Sequence, residues 1–133
     1  MITYLLETNI CVYILKQKPF NVFQKFTSID SYSIAVSSIT VAELMYGVHK
    51  SNSKDRNLLA VNELLNSVQI LDFDHNAASH FGTLKNSLLK KGTPIGPLDM
   101  LIAAHAISLN VVLVSNNLKE FNRVEGLLTE NWV

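Results

Sequence analysis

Val111-Val112-Leu113-Val114-Ser115 is an apolar run closed by a serine, and its reading decides the fold. A strand with one wet face alternates apolar and polar residues. One covered on both faces does not, and such strands belong to parallel sheets flanked by helices. Working backwards, residues 98–109 have the composition of a helix. Gly92-Thr93-Pro94-Ile95-Gly96-Pro97, with two glycines and two prolines in six residues, is a loop. Residues 76–91 place Ala77, His80, Phe81, Leu84, Leu88 and Leu89 on one helical face, which is expected to meet the core. Upstream, residues 68–73, 33–36 and 2–6 read as strands. Residues 57–67, 39–50, 19–28 and 8–16 read as helices, with Asn52-Ser53-Lys54-Asp55 as a break. Strands alternating with helices specify an α/β fold with a mainly parallel central sheet and helices on both sides. With no repeat, low-complexity tract or linker, residues 1–133 are expected to form a single domain.

A chain of 133 residues that is 48% hydrophobic can bury one substantial core. Its formal net charge of zero argues against coating nucleic acid through a broad positive field. Local basic groups remain: Lys16 with Lys18, Lys85 with Lys90 and Lys91, and Lys119 with Arg123. The apolar runs are too short to span a bilayer, and Met1-Ile2-Thr3-Tyr4 lacks the basic start of a signal peptide, so a cytoplasmic protein is expected. The single cysteine, Cys11, lies at helical spacing among Ile10, Val12 and Ile14 and reads as a buried thiol.

The chemistry is carried by acids. Glu7 follows the strand Ile2-Thr3-Tyr4-Leu5-Leu6, Glu43 lies just beyond the second strand, Asp99 opens the helix before the last one, and Asn116-Asn117 follows that strand. Parallel α/β sheets bind ligands at the carboxyl ends of their strands, so these positions are expected to converge. Each acid also has a local explanation. Thr40-Val41-Ala42-Glu43 fits a capping box, and Asp99, two residues after Pro97, suits the first turn of a helix. Three carboxylates together, however, repel unless a cation joins them, and oxygen-only ligands favour Mg²⁺ or Mn²⁺. Such an ion activates water and neutralises charge on a phosphodiester, which points to a nuclease. No phosphate-binding glycine loop, HExxH or paired Cys/His spacing is present. His105, among Leu101, Ile102 and Ala106, reads as a satisfied, partly buried histidine, and Glu120 as a surface or salt-bridge residue.

The same residues resemble the PIN-domain ribonucleases, and closely the VapC toxins of bacterial type II toxin–antitoxin pairs. The resemblance rests on ordered blocks: Tyr4-Leu5-Leu6-Glu7-Thr8-Asn9-Ile10; Ser37-Ser38-Ile39-Thr40-Val41-Ala42-Glu43-Leu44; Gly92 to Asp99 with Ile102-Ala103-Ala104-His105; and Val114 to Phe121. The closing Glu130-Asn131-Trp132 is similar as well. It implies a PIN-like three-layer α/β/α fold and a metal-dependent endoribonuclease whose acids are Glu7, Glu43 and Asp99, with the fourth polar position at Asn117. It further implies a homodimer and a VapB-like antitoxin covering the site, in a larger complex that binds promoter DNA through the antitoxin. Initiator tRNA, cut in its anticodon stem-loop, is the implied substrate. Thr8, Asn9, Thr40 and Asn116 are expected to support the ligands, with turn formation and capping as their alternative roles. Because Asn117 adds no charge, one tightly held metal is favoured over two.

One position departs from the family pattern: aspartate is usual where this chain has Glu7. The extra methylene moves the carboxylate by about 1.5 Å. Either the substitution is accommodated naturally, or it attenuates a toxic nuclease. The competing function is therefore a catalytically weakened binding module acting through antitoxin and promoter. A phospho-acceptor signalling domain lacks its acidic pair after the first strand and its lysine after the last.

Overall fold

In the computed structural model, which describes residues 1–133, Leu5 and Leu6 are neighbours in sequence and both fully buried, yet they belong to two different cores. They lie in β1 (Tyr4–Leu6), which pairs in parallel with β2 (Ile34–Ser37) and with β4 (Val112–Val114). β3 (Gln69–Leu71) continues the sheet beyond β2 and β5 (Thr129–Glu130) beyond β4, giving the order β3-β2-β1-β4-β5 with every pair parallel. Leu6, Ile34, Val36 and Val114 enter the core shared with α1 (Thr8–Lys16), α2 (Phe20–Ser28), α3 (Ser38–Lys50) and α4 (Lys54–Ser67). Leu5, Ala35 and Leu113 enter the opposite core, shared with α5 (His75–Lys90) and α6 (Pro97–Leu109). Strand residues alternate between faces, so an apolar run without alternation requires helices above and below. Each leucine or valine so buried contributes about 1.5–3 kcal/mol. The expected three-layer α/β/α architecture follows.

The helices start where short polar side chains satisfy free amides. Ser37 Oγ accepts from Ile39 N at 3.1 Å to open α3, and Asp74 Oδ1 accepts from Ala77 N at 2.9 Å to open α5. Pro97 occupies the first turn of α6, and Asn110, with φ 56°, ends that helix in the left-handed conformation two residues before β4. α6 is buried nearly all round, with Met100, Ile102, Ala103, Ala104, His105 and Ala106 all inside. Its small residues let it lie close to the sheet.

Several boundaries differ from the sequence expectation. α4 begins at Lys54 rather than 57, and β3 is confined to three residues, two of them exposed, at the edge of the sheet. A 3₁₀ turn at Ser31–Ser33, the four-residue α7 (Leu118–Phe121) and the two-residue β5 are too short to leave a periodic signal. On α5, Ala77, Leu84 and Leu88 face the core, but Leu89 is 54% exposed. One residue past Leu88 turns about 100° around the helix and leaves the apolar stripe.

Candidate active site

The crossover from β3 to β4 passes over β2 and β1, so the chain direction across the sheet reverses between β1 and β4. A crevice opens there at the carboxyl ends of the strands. Glu7 stands directly after β1 and is 4% exposed. Its backbone nitrogen bonds to the carbonyl of Val114 at 3.0 Å, which stitches it to β4. Its side chain is held at both oxygens: Oε2 accepts from Asn9 N at 3.0 Å, capping α1, and Oε1 accepts from Ser115 Oγ at 3.3 Å. Burial pushes the Glu7 carboxyl up to about 7; the Asn9 amide pulls down, the charges of Asp99 and Glu43 push up, and Ser115 pulls down.

Glu43 and Asp99 reach the same crevice from their helices. Glu43 is not engaged in a capping box, because α3 already starts at Ser38 with Ser37 as its cap. Its Oε1 instead accepts from Thr8 Oγ1 at 2.5 Å, and Thr8 also contacts Thr40 Oγ1 at 3.2 Å. Asp99 does lie in the first turn of α6, as its spacing from Pro97 suggests. Gly96 lies beside it: a Cβ there would sit in ordinary contact, 3.6 Å from Asp99 Oδ2. Burial first, then a hydrogen bond to Glu120, the charge of Glu120 and that of Glu43 together raise the Asp99 carboxyl to about 6.

Glu120, read from the sequence as a surface or salt-bridge acid, lies beside Asp99 as a fourth carboxyl group. Asn117, expected at the fourth polar position, donates through Nδ2 to Glu120 Oε2 at 3.0 Å. Asn117 immediately precedes α7 and Glu120 lies within it, and the single turn brings these residues, three apart, onto one side. The Asn117-x-x-Glu120 spacing was the available signal, hidden by the shortness of the helix. Ser115, buried and bridging Glu7 Oε1 and Asn117 N (2.9 Å), also escaped the sequence reading. Asn116 does not join the site. Its amide donates to Tyr13 Oη at 3.4 Å and its carbonyl oxygen accepts from Asn131, on the side of the C-terminal segment. Thr8 and Thr40 support Glu43 with their side chains, whereas Asn9 acts through its backbone.

Four carboxyl groups therefore gather without a basic partner; the one salt bridge, Lys91 to Glu125, involves none of them. No three of them stand close enough to hold an ion as the side chains lie, since each is drawn to a protein hydrogen bond. The donor set nevertheless fits a hard divalent cation: oxygen ligands only, with Glu7 and Asp99 raised by burial and by the charges of neighbouring acids. Beside the acids, Thr8 and Glu43 form one end of a groove with an apolar floor that includes Val12, Leu15, Gly47 and Val61, and Lys16 and Lys50 line it too.

The PIN domain family matches residues 4–127. The chain is 47% identical to Ribonuclease VapC2 of Haemophilus influenzae, over the full length of both proteins. It is 40% identical to the tRNA(fMet)-specific endonuclease VapC of Shigella flexneri, over 99% of each chain. Its structure superposes on a chain of the DNA-bound VapBC complex from Salmonella typhimurium with a TM-score of 0.95, at 41% identity and with all of both chains covered. With the fold, the strand-end acids and full-length relatives in agreement, the chain belongs to the PIN-domain family and, within it, to the VapC ribonucleases.

Proposed function

We propose that this chain is the toxin of a type II toxin–antitoxin pair and acts as a Mg²⁺-dependent endoribonuclease, with Mn²⁺ able to substitute. The observation that carries this reading is the unpaired cluster of Glu7, Glu43, Asp99 and Glu120 at the switch point of the sheet. Glu7 and Asp99, aided by Glu43 and Glu120, would hold the ion, which supplies water activation and charge neutralisation at the phosphodiester. Glu43, fixed by Thr8, orients the attacking water. Asn117 keeps the Glu120 carboxylate turned toward Asp99, and Ser115 and Asn9 keep Glu7 from swinging away. Lys16, in the adjoining groove, is placed to meet a phosphate of the RNA backbone.

Initiator tRNA is the proposed substrate, supported by the printed activity of the Shigella flexneri relative. A VapB-like antitoxin is the proposed partner, as in the Salmonella typhimurium complex, which also binds DNA. The groove between α1, α3 and α4 suits an apolar segment of that partner, and filling it would shut Thr8 and Glu43 from RNA. The toxin is further proposed to be a homodimer.

Antitoxin-free protein is expected to cleave tRNA with Mg²⁺ and to stop on chelation, and Asp99→Asn to lower the rate at least about a hundredfold. Sequencing of RNA ends after brief expression locates the cut. Unchanged cleavage by Asp99→Asn in nuclease-free preparations refutes the assignment.

A further inference from the structure

Only two hydrogen bonds between side chains are wholly buried. One is Ser115 to Glu7; the other joins His105 Nδ1 and Ser37 Oγ at 2.8 Å. We propose that His105 is a positioning residue of the acidic site: through Ser37 it fixes the spacing between the helix that carries Asp99 and the helix that carries Glu43. The proposal rests on the nuclease reading above and deepens it.

His105 is 1% exposed and Ser37 is fully buried. Ser37 ends β2 and caps α3, its Oγ accepting from Ile39 N at 3.1 Å. The same hydroxyl is bonded to the imidazole Nδ1, so one oxygen ties the start of α3 to the middle of α6. Burial lowers the imidazole's pKa, against the pull of Asp74 and then Asp72. The ring is also gripped from the side. Phe73 meets it edge to face, with centroids 5.5 Å apart at 79°, and Phe73 N donates to Ser38 Oγ at 3.0 Å. The bond therefore has little freedom to lengthen or turn.

Its position gives it leverage. Asp99 lies six residues before His105, and Glu43 lies six residues after Ser37, each about 9 Å along the helix. Asp99 stands in the first turn of α6 and Glu43 midway along α3, so each acid is carried on a rigid helix and the two helices are tied at the His105–Ser37 bond. A buried polar pair costs desolvation that an apolar pair would not, but its direction and length are specified, which apolar packing leaves looser. A shift of about 1 Å at the crossing carries to the carboxylates, on the scale at which metal and substrate geometry is lost.

Two substitutions separate this role from plain core packing. His105→Asn keeps a hydrogen-bonding atom at the place of Nδ1 and loses the ring. His105→Phe keeps a ring against Phe73 and loses the bond. The measurements are the Mn²⁺ dissociation constant by calorimetry and the thermal midpoint of the metal-free protein. His105→Phe is expected to weaken Mn²⁺ binding about tenfold. His105→Asn is expected to bind nearly as the unmutated chain does, although it melts lower. Ser37→Ala, which leaves the imidazole without its partner, is expected to match His105→Phe in Mn²⁺ binding, and the double substitution to add nothing further. Mn²⁺ affinity that follows the thermal midpoint across the series overturns the proposal alone. Failure of the unmutated chain to bind Mn²⁺ overturns the metal site and the proposal with it.

Discussion

Glu7 is a buried acid tied into the fold through both carboxylate oxygens. Both of its oxygens already serve the fold, one holding the start of α1 and the other held by Ser115. A shorter aspartate keeps the charge and draws the carboxylate back toward the backbone, nearer the position that the family pattern implies. Glu7→Asp is expected to raise the RNA cleavage rate by about ten- to a hundredfold, read as single-turnover cleavage of tRNA at saturating Mg²⁺. No gain would mean that the site is built around the longer side chain. Cys11, one turn further along α1, is fully buried with its thiol pushed well above the usual range, first by burial and then by the charge of Glu7. It therefore stays protonated and inert beside the acids.

At the level of elements, long periodic segments were legible and short ones were not. Val111 to Ser115 announced a doubly covered strand because burial on both faces writes itself into side-chain type, and β4 bears this out with Leu113 and Val114 fully buried. Glu7, Glu43 and Asp99, which the fold brings near one another, were legible as candidates because acids at strand ends and helix starts stand out from an apolar background. Glu120 and Ser115 were not, since α7 is a single turn and a serine after a strand has no distinctive pattern. Asn116 was misplaced because adjacent residues after a strand point to opposite sides, and only Asn117 faces the crevice. Among the helices, α5 carries a needless flaw. Gly82 is exposed, and no atom lies within 4 Å of where its Cβ would be. Gly82→Ala is expected to stabilise the protein by about 0.5–1 kcal/mol in chemical denaturation, with cleavage unchanged.

For the whole molecule, the acidic crevice sets how stability depends on pH. Glu7 moves from 4.5 to about 7 on folding, so the folded state binds its proton more tightly than the unfolded chain. Stability from this group is complete below about pH 4.5 and is lost as pH rises through 7. Asp99, raised to about 6, acts in the same direction, whereas His105, lowered from 6.5, opposes it only below that value. Metal-free protein in chelator is therefore expected to gain about 1 kcal/mol from Glu7 between pH 7.5 and 6, measured by denaturant melts. Saturating Mg²⁺ is expected to flatten or invert that slope, since the cation favours the ionised acids. A flat profile in chelator would show that water reaches Glu7 more freely than its burial indicates.

The gathering of acids without a basic partner has an evolutionary side. In most enzymes a random change that abolishes activity also carries some structural penalty. Here, neutralising one member of the cluster relieves repulsion and desolvation in the metal-free fold. Inactivating substitutions at these positions are consequently not weeded out as misfolded protein. A chain that loses its nuclease through such a change therefore keeps a fold freed of that repulsion.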